Sequence, residues 1–276
     1  MERQDQRMLG PHPEEQALRE EIARLRASLT AVLLQRDELV LIQCRRIEAA
    51  YLRRFGALEL KVYESWCACL RAKRRAKLLR AARNRREQPE PEQIEAALDE
   101  ELSDYRRELE ERFRRVEGVV EQREGPGLSQ KGVRELKELY RQAVKSLHPD
   151  LHPGEDAERQ QRLQQAMRAY RAGDLETLRA LCDSVEPART PEENSLEQLR
   201  AEAKRLRGSL RELNRQLEAV KGEYPFSARV YLEDEARGRE KEAELTAQLR
   251  ELRERTARYE AEAARLLSPE EEDEEC

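Results

Sequence analysis

The sequence predicts an all-α protein in which a small helical unit is flanked by long coiled-coil helices. Three observations carry that prediction. First, 40% of the 276 residues are charged, against roughly 25% in an ordinary globular domain. Second, hydrophobic residues reach 38%, aromatics 4%, and Gly and Pro number 11 each. That is too little turn chemistry for a sheet fold, which needs a turn about every 8–12 residues. Third, leucines and alanines recur in steps of four and three over long stretches, the period of a helix with one apolar seam.

The first such seam is Leu18, Ile22, Leu25, Leu29 and Val32, interrupted at Arg36 and resumed at Leu39. Its phase is lost around Cys44-Arg45-Arg46, and a second helical stretch runs from about Ile47 to Arg86 with Leu58, Val62, Trp66, Cys69, Ala76 and Leu79. Two antiparallel helices folded as a hairpin over residues 1–90 would satisfy both. Pro89 and Pro91 end this region, because proline lacks an amide donor and restricts the residue before it. A third helix is expected from about Glu92 to Gln122, lined by Ile94, Leu98, Tyr105, Leu109, Phe113 and Val116. It leads into the Gly125-Pro126-Gly127 linker of residues 91–127. A block of shorter helices occupies residues 128–186, and Pro187 and Pro191 mark a linker over 187–194. Leu199, Ala203, Leu206, Leu210, Leu213, Leu217 and Val220 then hold the seam without a miss. Tyr224-Pro225-Phe226 breaks it, and Leu245, Leu249, Leu252, Thr256, Tyr259, Ala263 and Leu266 repeat it, which reads as a second hairpin over 195–267. The tail, 268–276, holds six consecutive acids and is expected to be disordered.

The block 128–186 carries the chemistry. Ser129 is a good N-cap for a helix running to about Leu147. Its apolar stripe is Val133, Leu136, Tyr140, Val144 and Leu147. Beside it, Arg134, Lys137, Arg141 and Lys145 are spaced three, four and four, so the four cations share one face. His148-Pro149-Asp150 follows: Pro149 stops the helix and Asp150 sits in the turn with its carboxylate exposed. A second helix begins near Asp156 with the stripe Leu163, Ala166, Met167 and Tyr170. Gly173 suits a helix stop, since glycine accepts the left-handed conformation, and Asp174 can cap a short last helix with Leu175, Leu178 and Cys182 inward.

The run from Leu136 to Asp150 resembles the second helix and signature loop of the DnaJ-type J-domain. Leu163-Gln164-Gln165-Ala166-Met167-Arg168-Ala169-Tyr170 is similar to that family's third helix. The resemblance covers about 55 of the 276 residues. It implies that His148, Pro149 and Asp150 contact a DnaK-type chaperone and trigger its ATP hydrolysis. It also implies that the basic face of Arg134, Lys137, Arg141 and Lys145 meets an acidic surface on that partner. Such a face would steer the encounter and set its orientation. The chain departs from the family at Gln142 and Leu151, where basic residues are usual. It also lacks a Tyr-x-x-Leu-Gly-Val first helix, whose place the end of the Glu92–Gln122 helix is expected to take through Phe113, Val116 and Val119. A Gly/Phe-rich region and zinc repeats are absent too. The pattern resembles that of bacterial proteins in which a J-domain is embedded between coiled coils.

Other chemistries are weakly supported. His148 and His152 are four apart, but Pro149 destroys the shared helix face of a zinc pair, and no third ligand is evident. Cys67 and Cys69 are two apart on a helix and point to different sides. No phosphate loop, nucleophile triad or carboxylate pair is recognisable, so neither an enzyme activity nor a cofactor is expected. Nine Lys or Arg residues lie between Arg71 and Arg86 with no acid among them. They could bind a phosphate backbone, or form a face answered by acids of the Glu92–Glu111 helix. The second reading is favoured, because the chain is net −5 and the run lacks stacking aromatics. A charged N-terminus with no apolar run behind it, no stretch of about 20 apolar residues and five scattered cysteines point to a cytoplasmic protein with reduced thiols and no membrane contact. The expected function is that of a J-domain co-chaperone whose coiled coils bind clients or partners, or self-associate. The alternatives are a structural scaffold with a degenerate J-like unit and a nucleic-acid binder acting through residues 71–86.

Overall fold

A computed structural model describes residues 13–87, 90–121, 128–153, 157–184 and 195–268. Among them every regular element is helical and no strand occurs. In chain order the α-helices are α1 (Pro13–Asp37), α2 (Cys44–Tyr51), α3 (Ala57–Asn84), α4 (Pro91–Glu101), α5 (Ser103–Glu121), α6 (Gln130–Leu147), α7 (Ala157–Ala172), α8 (Leu175–Asp183), α9 (Leu196–Gly222), α10 (Val230–Glu233) and α11 (Glu235–Leu267). The chain divides into two compact units, residues 1–46 with 124–227 and residues 47–123 with 228–276. The Gly125-Pro126-Gly127 loop, the 187–194 linker and the acidic run 270–275 lie outside the described residues.

In the first unit the seam of α1 is apolar as its spacing predicts, with Ile22, Leu29 and Leu33 buried. Neither the interruption at Arg36 nor the loss of phase that begins at Cys44 turns the chain there. Glu38–Gln43 forms a π-helical turn, and Asp37 before it and Cys44 after it both keep right-handed helical dihedrals. The wider turn absorbs the slip inside the helix. The seam of α9 buries Leu199, Ala203, Leu206, Leu213 and Leu217. Ser195 starts that helix through a capping box: its hydroxyl accepts from Gln198 N–H at 3.3 Å, while Gln198 Oε1 accepts from Ser195 N–H at 2.9 Å.

These two seams face each other, which differs from the expected hairpins. α1 packs on α9, and in the second unit α3 packs on α11. The ion pairs give the direction. Glu14 meets Arg200 and Glu21 meets Arg207, each pair 186 residues apart. Both partners advance together along the chain, so α1 and α9 run parallel. In the second unit Arg54 reaches Glu242 at 2.9 Å and Arg80 reaches Glu262, offsets of 188 and 182, so α3 and α11 are parallel as well. A leucine seam states that a helix needs an apolar partner face, not which helix supplies it.

The second unit has its own π-helical turn at Leu52–Gly56. There the absence of a side chain at Gly56 lets α5 approach closely: a Cβ would stand 3.1 Å from Val116 Cγ2. The helix expected over 92–122 is kinked at Leu102, whose φ of −103° and ψ of 12° leave the helical range. Leu102 N–H nevertheless bonds Leu98 C=O at 3.0 Å, so the element bends without ending. Leu98 is fully buried, and α4 and α5 both pack on α3.

Candidate functional site

The local signals of the 128–186 block form the expected elements. Ser129 Oγ accepts from Gly132 N–H at 3.2 Å and starts α6. Gly173 adopts a φ of +72°, the left-handed geometry that favours glycine, and ends α7. Asp174 then caps α8 by accepting from Thr177 N–H at 3.0 Å. Leu136, Tyr140, Val144 and Leu147 of α6, Leu163, Ala166 and Tyr170 of α7, and Leu178 of α8 are buried together. Val133, expected in the α6 stripe, is exposed instead.

The three helices do not close a core by themselves. The same buried cluster includes Ile22, Leu29 and Leu33 of α1 and Leu199, Ala203 and Leu206 of α9. The expectation that Phe113, Val116 and Val119 supply a missing first helix is therefore overturned. Those residues lie on α5 in the other unit, where Phe113 is 52% exposed and Val116 packs beside Gly56. The parallel pair α1–α9 provides the apolar support instead. Sequence spacing could not show this, because the supporting leucines lie far from α6 along the chain.

Docking on α1 is also polar. Tyr140 and Tyr170 stack with ring centroids 4.2 Å apart. The Tyr140 hydroxyl donates to Asp37 Oδ2 at 2.6 Å, and that of Tyr170 donates to Glu38. Asp37 is only 3% exposed. Its Oδ1 accepts from Arg36 Nε and Nη2 at 3.0 and 2.7 Å, so both carboxylate oxygens are satisfied. Burial raises the pKa of both phenols, reinforced by Asp37 at Tyr140 and Glu38 at Tyr170, so each acts as a neutral donor. Asp37 and Glu38 sit where α1 gives way to the π turn. The interruption of the seam at Arg36 was the one trace of this socket in the sequence.

The corner after α6 is tightly bonded. His148 ends the helix with its N–H on Val144 C=O, and its own carbonyl accepts from the N–H groups of Leu151 and His152, each at 3.0 Å. His148 Nδ1 accepts from Asp150 N–H at 3.1 Å, and His152 Nε2 meets Lys145 C=O at 2.8 Å. From α9, Arg205 Nη1 donates to Asp150 C=O at 2.7 Å. The three motif residues are exposed to different degrees. Pro149 is exposed and the Asp150 side chain is 42% accessible, whereas His148 is 8% exposed. Burial lowers the His148 pKa; Arg36 and His152 act the same way, while Asp150 and Asp37 oppose them. The ring is therefore neutral at pH 7, consistent with a lone pair on Nδ1.

The four cations of α6 emerge on one exposed face. Lys137 pairs with Glu38 at 3.1 Å. No acid among the described residues pairs with Arg134, Arg141 or Lys145. The structure thus brings the cationic stripe and the Pro149-Asp150 tip together, and turns His148 inward. Sequence reasoning missed Arg36, Asp37, Glu38, Leu151 and Arg205 as neighbours of the site.

Elsewhere, four of the nine cations in the run 71–86 pair with acids on other helices. Arg71 pairs with Glu95 and Asp99 at 2.5 and 2.7 Å, Arg75 with Glu95 at 2.5 Å, Arg74 with Glu101 at 2.8 Å, and Arg80 with Glu262. Cys69 is buried and Cys67 half-buried, both as free thiols. Among the described residues no three His, Cys, Asp or Glu side chains gather as a metal site would require, and no helix is long and apolar enough to cross a membrane. Compared with family models, curated proteins and solved structures, the chain matches none.

Proposed function

We propose that the α6–α8 unit is a J-type docking module that binds a DnaK-type chaperone and stimulates its ATP hydrolysis, the long helices holding clients or partners. The observation that carries this reading is the exposed face of Arg134, Lys137, Arg141 and Lys145 ending at the exposed Pro149 and the half-exposed Asp150 carboxylate. A compact row of cations suits an acidic surface and speeds encounter at low salt. The tight turn beyond it presents one carboxylate at a fixed distance from that row.

The test is steady-state ATP turnover by a purified DnaK-type chaperone with the full chain added. Stimulation by wild type that disappears in Asp150→Asn and weakens in Arg141→Glu supports the proposal. Equal turnover with and without the protein rejects it. The burial of His148 favours one second reading: a structural scaffold in which the corner is a packed helix end. That reading predicts unchanged partner capture or self-association in both variants.

A further inference from the structure

The corner is tied to its own scaffold by a bond to its backbone and by the burial of His148. His148 is buried, and Arg36 and Asp37 of α1 lie close enough to influence its charge. Arg205 of α9 grips the Asp150 carbonyl from the other side, and Leu151, the next residue, is anchored in the shared core. The grip is imperfect: Arg205 Nη2 is buried with no hydrogen-bond partner among the described residues. An unsatisfied buried donor opposes the closed arrangement, so closure is maintained against a cost that opening would relieve.

We propose that Arg205 is a clasp that keeps the His148-Pro149-Asp150 corner sequestered, and that local opening of residues 148–152 exposes the His148 ring to the partner. This inference rests on the J-type reading above and adds its regulation. While the clasp is closed, Pro149 and the Asp150 carboxylate permit a first encounter, but the imidazole does not take part. The apparent affinity of the full chain is then reduced by the fraction of time spent open. Local opening of a few residues is the appropriate scale, because α6–α8 share too much apolar core with α1 and α9 to detach as a body.

The experiment compares wild type with Arg205→Met, which keeps an apolar stem but loses the donor, and with Arg205→Lys, which can restore one. Two quantities are read on the full chain: hydrogen exchange of the Asp150, Leu151 and His152 amides, and ATP turnover of a purified DnaK-type chaperone across a concentration series. The expected result is faster exchange in Arg205→Met, with half-maximal stimulation at about tenfold lower concentration, and behaviour nearer wild type in Arg205→Lys. Unchanged exchange in Arg205→Met overturns the clasp, as does faster exchange with an unchanged stimulation curve. In both of those cases stimulation by wild type leaves the J-type reading standing. If no variant stimulates although exchange is faster, the J-type reading fails and the clasp's role fails with it.

Discussion

Two packets of short helices sit on long parallel pairs in this chain, and they are attached by different physics. In the first unit α6–α8 dock on α1 through buried polar bonds, chiefly Tyr140 to the 3%-exposed Asp37. In the second, α4 and α5 bury Leu98 and set Val116 beside Gly56, and their polar contacts with α3 are ion pairs at the surface, Arg71 to Glu95 and Asp99 and Arg74 to Glu101. One aromatic edge assists there: Trp66 of α3 stands 5.2 Å from Tyr105 of α5. Exposed ion pairs contribute about 0–1 kcal/mol each. A buried bond with one partner removed costs about 1–3 kcal/mol, because the remaining group stays dehydrated and unpaired. The difference teaches where the polar contacts add direction to packing. Exposed charges tolerate rearrangement, whereas a stacked tyrosine pair ending on two adjacent carboxylates does not.

Core truncation should show the largest effect. Leu178→Ala removes a fully buried side chain from the cluster that joins α8 to α1 and α9, and should cost about 2–5 kcal/mol in denaturant unfolding. A loss below 1 kcal/mol would mean that the packet is not seated as described. Next come the hydroxyls. Tyr140→Phe should cost about 1–3 kcal/mol, while Tyr63→Phe, whose hydroxyl bonds the exposed Glu108 at 2.8 Å, should change stability by less than about 1 kcal/mol. Equal losses would erase the contrast between the packets.

The pH response sharpens the same comparison. Burial holds the folded His148 pKa below its ordinary value of 6.5. The unfolded chain therefore binds more protons between that depressed value and about 6.5, and stability falls as pH falls through this window. Unfolding midpoints measured from pH 7.5 to 5.0 should decline in wild type, and His148→Gln should flatten the part that this residue contributes. An identical slope in the variant would show that the ring is not held neutral by its surroundings. The smallest effect belongs to the second packet: Arg71→Met, which removes two exposed pairs, should stay within about 1 kcal/mol. A larger loss would promote those pairs to structural determinants.

What was legible in the sequence was local. Ser129, Gly173 and Asp174 announced helix ends because capping is decided within four residues, and the seams of α1, α9 and α11 were visible because burial repeats along one helix. The pairing of those seams was not legible. The slip between Arg36 and Cys44 looked like a place to turn back, since spacing alone does not separate a reversal from a π turn. The site was legible in part for the same reason. The cationic stripe and the corner are fixed by spacing along α6. The burial of His148 is not, because it depends on packing against elements distant in sequence, where Arg36 and Asp37 influence its charge and Arg205 bonds the Asp150 carbonyl beside it.

The central claim is that the α6 tip, and not the α4–α5 packet, acts on another protein's ATPase. Single-turnover ATP hydrolysis by a DnaK-type chaperone tests it most directly, with wild type, Asp150→Asn and Phe113→Ala added in turn. The account predicts accelerated hydrolysis with wild type and Phe113→Ala, and the basal rate with Asp150→Asn. Acceleration that survives Asp150→Asn, or is lost with Phe113→Ala alone, would contradict it.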